Sequence, residues 1–324
     1  MKVKSFVFRS IRETDAPHII QLSKEAKSGL SNLPKTLDKA KQLINTSQLS
    51  IQNKLQKKDQ KFIFVVETNE KEIVGISGIK SHVGVERPYY SFHLNKTKNH
   101  PYLELTQQPL GPSEIGSLFL SPKYRNQNIG RLLSLSRFLF IRCFKKQFTN
   151  VIIAELRGFL YKNNTSPIWN AIGKKFIPLS FNKADIRSMT DLTFIDTYFP
   201  KKPIYLSMID SKAIPYLGAV HPYTEPAKKL LFSEYFKSTN YIDIFDGGPK
   251  LECLTSNIRS IANSKQTTIN QLSKTLTNDM FIICNLNYNN FRCIRATKTT
   301  SKTVIKHQLK LTDSDPVVYV KERE

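Results

Sequence analysis

No stretch of this 324-residue sequence runs through 18 apolar residues, so no membrane-spanning helix is expected. Paired cysteines are missing too. Cys143, Cys253, Cys284 and Cys293 form no CxxC, and no His/Cys ligand box accompanies them. That argues against zinc modules and disulfide scaffolds. It fits buried thiols in a reducing, cytoplasmic compartment, with no metal expected. The opening "MKVKSFVFRSIRETDAPHI" has a charged start without an apolar stretch or cleavage site, so no signal peptide is expected. Acidic residues are scarce: 26 Asp and Glu face 49 Lys and Arg, a net charge of +23. Such an excess invites a nucleic-acid partner. Yet the lysines scatter through "KKDQK", "NKTKNH", "GKKF", "PKKP" and "AKKLL". There is no basic tail, zinc finger or RNP-like aromatic motif, so nucleic acid is not the expected partner.

What is present supports a packed core: 40% hydrophobic residues, with 20 Phe and 13 Tyr. The length suits one large domain or two smaller ones. "SFVFRS" alternates like a strand, and "TDAPHIIQLSKEA" reads as a helix capped by Thr14 or Asp15. "KFIFVVETNEKEIVGISGIK" reads as a hairpin, and "VIIAEL" as a buried strand. "SPIWNAIGKKF" reads as a short helix capped by Ser166 with Pro167 at its first position. The element order is β-α-α-β-β-β-α-β-α, a mixed α/β sheet. A helix with a Thr224 cap and the strand "TNYIDIFDGGP" follow. From Leu251 the texture turns to short strands with polar turns. The expected domains are 1–250 and a small, mostly-β module, 251–324.

One stretch, "SPKYRNQNIGRLLSLSRF" from Ser121 to Phe138, joins the apolar strand "IGSLFL" to an apolar helix. A helix N-terminus carries unsatisfied N–H groups and a partial positive charge. A loop of small residues before it makes a seat for a pyrophosphate. A polar turn is the plain alternative.

Arg125-Asn126-Gln127-Asn128-Ile129-Gly130 resembles the R-G-x-G-x-G/A cradle of the GNAT acyltransferase superfamily, which holds the CoA pyrophosphate. Asn126 and Asn128 stand where glycines are usual. Asn is the side chain best able to adopt left-handed backbone, so the turn survives with more bulk near the phosphates. The element order is the one a GNAT fold requires. "SGLSNLP", "ELRGFLYKNNTSPIWNAIGKKF", "VHPYTEPAKKLL" and above all "YIDIFDGGPKLEC" resemble the arginine N-succinyltransferase family of bacteria. The resemblance runs from about residue 3 to the C-terminus and weakens after about residue 260. It implies a GNAT-like fold and transfer of a succinyl group from succinyl-CoA to the α-amine of L-arginine, a step of arginine catabolism. Succinyl-CoA would be a co-substrate, with no permanently bound cofactor. Some members act on ornithine, and some pair two related subunits, so a homo-oligomer or such a pairing is open. The alternatives are a GNAT enzyme for another amine such as ornithine or a polyamine, a non-catalytic GNAT-like subunit, and a nucleic-acid-binding module.

The α-ammonium must lose a proton before it attacks the thioester. Glu114, at the start of the strand before the cradle, stands where many GNAT enzymes keep their base. His221 in "VHPYTEP" is the rival, with an ordinary pKa near about 6.5. The resemblance implies donor contacts at Leu118, Leu120 and the cradle 125–131, ending at Arg131, with a backbone oxyanion donor near Leu118. Trp169 falls where GNAT enzymes often keep a Tyr acid, and an indole cannot serve. The succinyl carboxylate needs a cation or several donors. Arg157 and the loop of Ser28, Ser31 and Asn32 are the candidates. Glu155 either meets the arginine guanidinium or pairs with Arg157. Asp243 and Asp246 either meet that guanidinium or belong to a tight turn.

Overall fold

The computed structural model describes residues 5–26, 33–108 and 110–323. The first half runs β1 (Phe6–Ser10), α1 (Ala16–Ala26), α2 (Leu37–Ile51), β2 (Lys61–Thr68), β3 (Ile73–Lys80), β4 (Tyr89–Asn95), β5 (Tyr102–Gln108), β6 (Ser113–Leu120), α3 (Ile129–Cys143) and β7 (Val151–Glu155). The second runs α4 (Lys174–Phe176), α5 (Phe181–Ser188), α6 (Thr193–Tyr198), β8 (Ile204–Tyr205), α7 (Glu225–Ser233), β9 (Lys237–Ile242), β10 (Pro249–Leu254), α8 (Arg259–Ala262), β11 (Lys265–Thr268), α9 (Ile269–Thr275), β12 (Phe281–Asn285), β13 (Arg292–Ala296), α10 (Lys302–Leu309) and β14 (Pro316–Lys321). β5, α5 and α6 escaped the sequence reading because their polar residues break the apolar periodicity. No helix among the described residues is long and apolar enough to cross a membrane.

The chain forms two units. One comprises Met1–Ser81, Ile115–Asn150 and Leu254–Glu324; the other comprises His82–Glu114 and Val151–Cys253. The chain passes from the second unit back to the first at Cys253–Leu254. Beyond it, helices α8, α9 and α10 accompany the strands, more helix than the polar sequence suggested.

In the first unit the strand order is β11-β14-β12-β13-β1-β2-β3, paired antiparallel. Helices α1 and α2 bury Ile19, Leu22, Ala40 and Ile44 against Val65 and Ile76 of β2 and β3. Phe138 and Phe140 of α3 are fully buried, and Phe140 packs on Phe62, Phe64 and Phe291. This burial fixes α3, and α3 carries the phosphate-cradle candidate at its start. Buried Arg9 is neutralised by Asp15 and Glu67, both at 2.8 Å.

In the second unit the order is β7-β10-β9-β4-β5-β8, and the first two residues of β6 pair parallel with β7. Its core gathers Trp169, Phe92, Phe181, Phe194 and Phe199. Trp169 is fully buried and donates its indole N–H to the Leu179 carbonyl at 2.8 Å. Ser166 caps the turn as expected: its Oγ accepts the Trp169 N–H at 3.0 Å.

Candidate active site

The cradle has the backbone the sequence implied. Asn126 and Asn128 both lie in the left-handed region, at φ 62° and 59°. Asn128 is the last residue before α3, and its conformation swings the chain into the helix. Arg125, Asn126, Gln127 and Asn128 are exposed, while Ile129 is buried and anchors the first turn. Among the described residues Arg125 makes a long contact with the Leu120 carbonyl, 3.4 Å from Nε. Arg131 donates to the Arg323 carbonyl. A Cβ on Gly130 would meet nothing within 4 Å, so this glycine is not demanded by packing. Leu118 and Leu120 are half-buried on β6. Beside Leu118, Ser117 adopts φ 50°, a left-handed kink inside a strand. Such kinks re-aim backbone groups and often mark functional sites. Serine has no left-handed preference, so no sequence signal announced it.

The second unit holds the acceptor candidates. Glu114 is buried, at 8% exposure, and registers with Ile153 of β7. Glu155 accepts the Tyr89 hydroxyl. Burial first, then the charges of Glu155 and Glu114, push the Tyr89 phenol well above its ordinary pKa. Both carboxylates therefore act on one side chain. Lys250, which sequence reasoning passed over inside "DGGPKLEC", joins them. It is buried, with its ammonium 4.3 Å from the Tyr89 ring and 4.8 Å from the Tyr241 ring. Burial lowers its pKa, and the charges of Glu155, Glu252 and Glu114 oppose that. The result is a local concentration of carboxylates in a chain of strongly positive net charge.

Arg157 makes a different set of contacts from those the sequence suggested. Its Nη1 and Nη2 donate to Asp185 at 3.2 and 3.0 Å, and its Nε lies 3.3 Å from Asp246. Burial works against this cation, but Asp246 and Asp185 outweigh it and raise its pKa. The ion pair considered with Glu155 is not the one formed. Arg157 lies two residues past the end of β7, where Asp185 and Asp246 reach it.

Asp243 and Asp246 belong to a tight turn. Asp243 Oδ1 accepts the N–H groups of Phe245 and Asp246, each at 2.8 Å, and Asp246 Oδ1 accepts that of Gly248 at 2.8 Å. Burial, then the charge of Asp246, pushes the Asp243 carboxyl well above its ordinary pKa. The Gly-Gly of "FDGGP" lets this turn press against another backbone segment. A Cβ on Gly248 would sit 2.0 Å from the Leu156 carbonyl, and one on Gly158 would sit 2.2 Å from that of Asp246. Three backbone links then stitch the His221 segment onto this platform. Gly218 N–H donates to Gly247 at 2.8 Å, Gly158 bridges Val220, and His221 N–H donates to Arg157 at 2.8 Å. The His221 ring is held as well: Nδ1 accepts the Tyr223 N–H at 3.2 Å. The neutral ring therefore carries its proton on Nε2. Burial and the Arg157 charge lower the His221 pKa, while Asp246 raises it. A ring so held donates a hydrogen bond more readily than it takes a proton.

The loop of Ser28, Ser31 and Asn32 lies outside the described residues. Trp169 is a core residue with its single donor already used.

Comparison with known proteins identifies a family. The family model described as arginine N-succinyltransferase beta subunit matches residues 6–260. Arginine N-succinyltransferases of Shigella dysenteriae serotype 1 (strain Sd197) and Escherichia coli O6:H1 are each 34% identical over 302 residues, covering 89% of this chain and 88% of theirs. The solved structure of arginine/ornithine succinyltransferase subunit AI from Pseudomonas aeruginosa superposes with a TM-score of 0.85 over 98% of both chains at 24% identity. The mixed α/β fold expected from the sequence is borne out.

Proposed function

Since the chain belongs to the arginine N-succinyltransferase family, we propose that it transfers the succinyl group of succinyl-CoA to the α-amine of L-arginine. The observation that carries this reading is the family match across residues 6–260, joined by relatives of that name along most of the chain. As a co-substrate the donor supplies an activated thioester; the chain's residues bind it and manage the protons. The cradle 125–131 offers Arg125 and the first N–H groups of α3 to the pyrophosphate. Leu118 and Leu120 would line the path of the pantetheine arm, and the kinked backbone at Ser117 would present an N–H to the thioester oxygen.

Glu114 is the proposed base. It is a buried carboxylate beside a second one, Glu155, which is suited to the guanidinium of the acceptor. His221 has Nδ1 engaged and Nε2–H to give, so its proposed task is to donate a hydrogen bond as negative charge develops on oxygen or sulfur. Asp243, Asp246 and Arg157 would then support the segment that carries this ring rather than touch substrate.

Thiol release by the pure protein, with succinyl-CoA and a panel of arginine, ornithine, agmatine and polyamines, tests the reading. Arginine should be the best acceptor. Release with another amine and none with arginine would overturn the acceptor assignment. Glu114→Gln and His221→Gln, measured from about pH 6 to 9 at saturating donor, separate the two roles. Glu114→Gln should slow transfer about 10²–10⁴-fold across that range. A loss of that size in His221→Gln alone would exchange the roles.

A further inference from the structure

Arg137 lies in the middle of α3, the helix whose first turn forms the cradle, and it is only 3% exposed. Its guanidinium is pinned from one side by Ser134. Nη2 donates to the Ser134 hydroxyl at 2.9 Å and Nε to the Ser134 carbonyl at 3.3 Å. A guanidinium has five N–H donors, so most of its capacity is left over. Among the described residues no Asp or Glu pairs with it. Arg9 has Asp15 and Glu67, and Arg157 has Asp185 and Asp246, whereas buried Arg292 donates to the Gln308 carbonyl. Burial alone pushes the Arg137 pKa down to about 9, with no charge opposing it. A cation taken out of water without a counter-ion is expensive, and Arg137 keeps unused donors to offer an anion.

We infer that Arg137 reads the distal carboxylate of the acyl donor. The inference rests on the reading of the donor as an acyl-CoA with a terminal carboxylate. Arg157, the cation expected for this task, is already occupied by two aspartates. Arg137 sits eight residues past Ile129, roughly 12 Å along the helix at about 1.5 Å per residue. That separates it from the pyrophosphate seat along the same helix, as a group at the far end of the donor would require. Ser134 holds the planar fork in one orientation, and a carboxylate would complete it bidentately. Unsubstituted acyl groups offer nothing to this charge, so the residue would select succinyl over acetyl.

The test compares wild type with Arg137→Met, which keeps the length and removes the charge. Thiol release is measured with succinyl-CoA and acetyl-CoA at saturating arginine, together with the Tm of each protein with and without each donor. In the variant the succinyl-to-acetyl ratio of kcat/KM should fall about 10- to 150-fold, the worth of a charge-assisted contact. The acetyl rate should hold. The Tm without donor should stay level or rise, because an uncompensated buried charge has gone. The extra Tm gain of wild type with succinyl-CoA over acetyl-CoA should vanish. An unchanged ratio overturns the inference. So does an equal loss with both donors accompanied by a lower Tm, which marks a structural arginine. If wild type releases thiol from neither donor, the assigned reaction fails. The difference in Tm gain still decides Arg137, supporting it if present and overturning it if the two donors shift Tm alike.

Discussion

The cradle of the first unit and the His221 platform of the second solve opposite problems. The cradle is exposed, short in sequence and shaped by single-residue preference: two asparagines in the left-handed region and a helix start. The platform is buried and shaped by backbone segments distant in the chain, pressed together where glycines leave room. The difference teaches where each unit tolerates change. An exposed turn can bend; backbone segments pressed together this closely cannot.

Glycine substitution gives the largest contrast. Gly248→Ala or Gly158→Ala puts a methyl into a carbonyl oxygen, and should destabilise by about 3 kcal/mol or more, the upper end for overpacking. Gly130→Ala, in open space inside a helix, should stabilise by roughly 0.5–1 kcal/mol. Denaturant unfolding of the three variants reads both. Similar losses at all three positions would erase the distinction.

Charge removal comes next. Arg157→Met leaves Asp185 and Asp246 without their cation, and a broken buried pair costs about 3–5 kcal/mol. The side chains are partly reached by water, so the lower end is expected. Arg125→Ala in the exposed cradle should leave the unfolding midpoint within about 0.5 kcal/mol of wild type. A marked loss of stability at Arg125 would mean that the cradle is a packed element.

The smallest effect concerns pH. The folded protein binds the Asp243 proton more tightly than the unfolded chain does, because burial and Asp246 raise its pKa. That contribution is present at low pH and is lost as pH rises from the ordinary aspartate range through the raised folded value. Asp243→Asn keeps an oxygen for the Phe245 and Asp246 N–H groups and removes the titration. Its stability relative to wild type should therefore climb with pH across that window. A constant difference would mean that Asp243 is an ordinary ionised cap.

The legible parts of the molecule were those with local causes. The strand, turn and helix around Arg125 follow from apolar periodicity and from the tolerance of Asn126 and Asn128 for left-handed backbone. Ser166 and Pro167 announced their cap. The illegible parts had distant causes. Nothing beside Arg157 in sequence says that Asp185 and Asp246 will meet it, since those contacts exist only once β7, α5 and the turn after β9 are assembled. The glycines of "FDGGP" were readable as a turn but not as a close fit to Leu156 and Gly158. Lys250 looked like one more lysine in a basic chain, and only burial between two tyrosine rings sets it apart.

The proposed division of labour assigns donor affinity to the cradle and acceptor affinity to the carboxylates of the second unit. Steady-state kinetics of Arg125→Ala and Glu155→Gln with both substrates varied test it most directly. Arg125→Ala should raise the succinyl-CoA KM about tenfold or more and leave the arginine KM in place. Glu155→Gln should do the reverse. Equal rises in both constants for both variants would contradict the account.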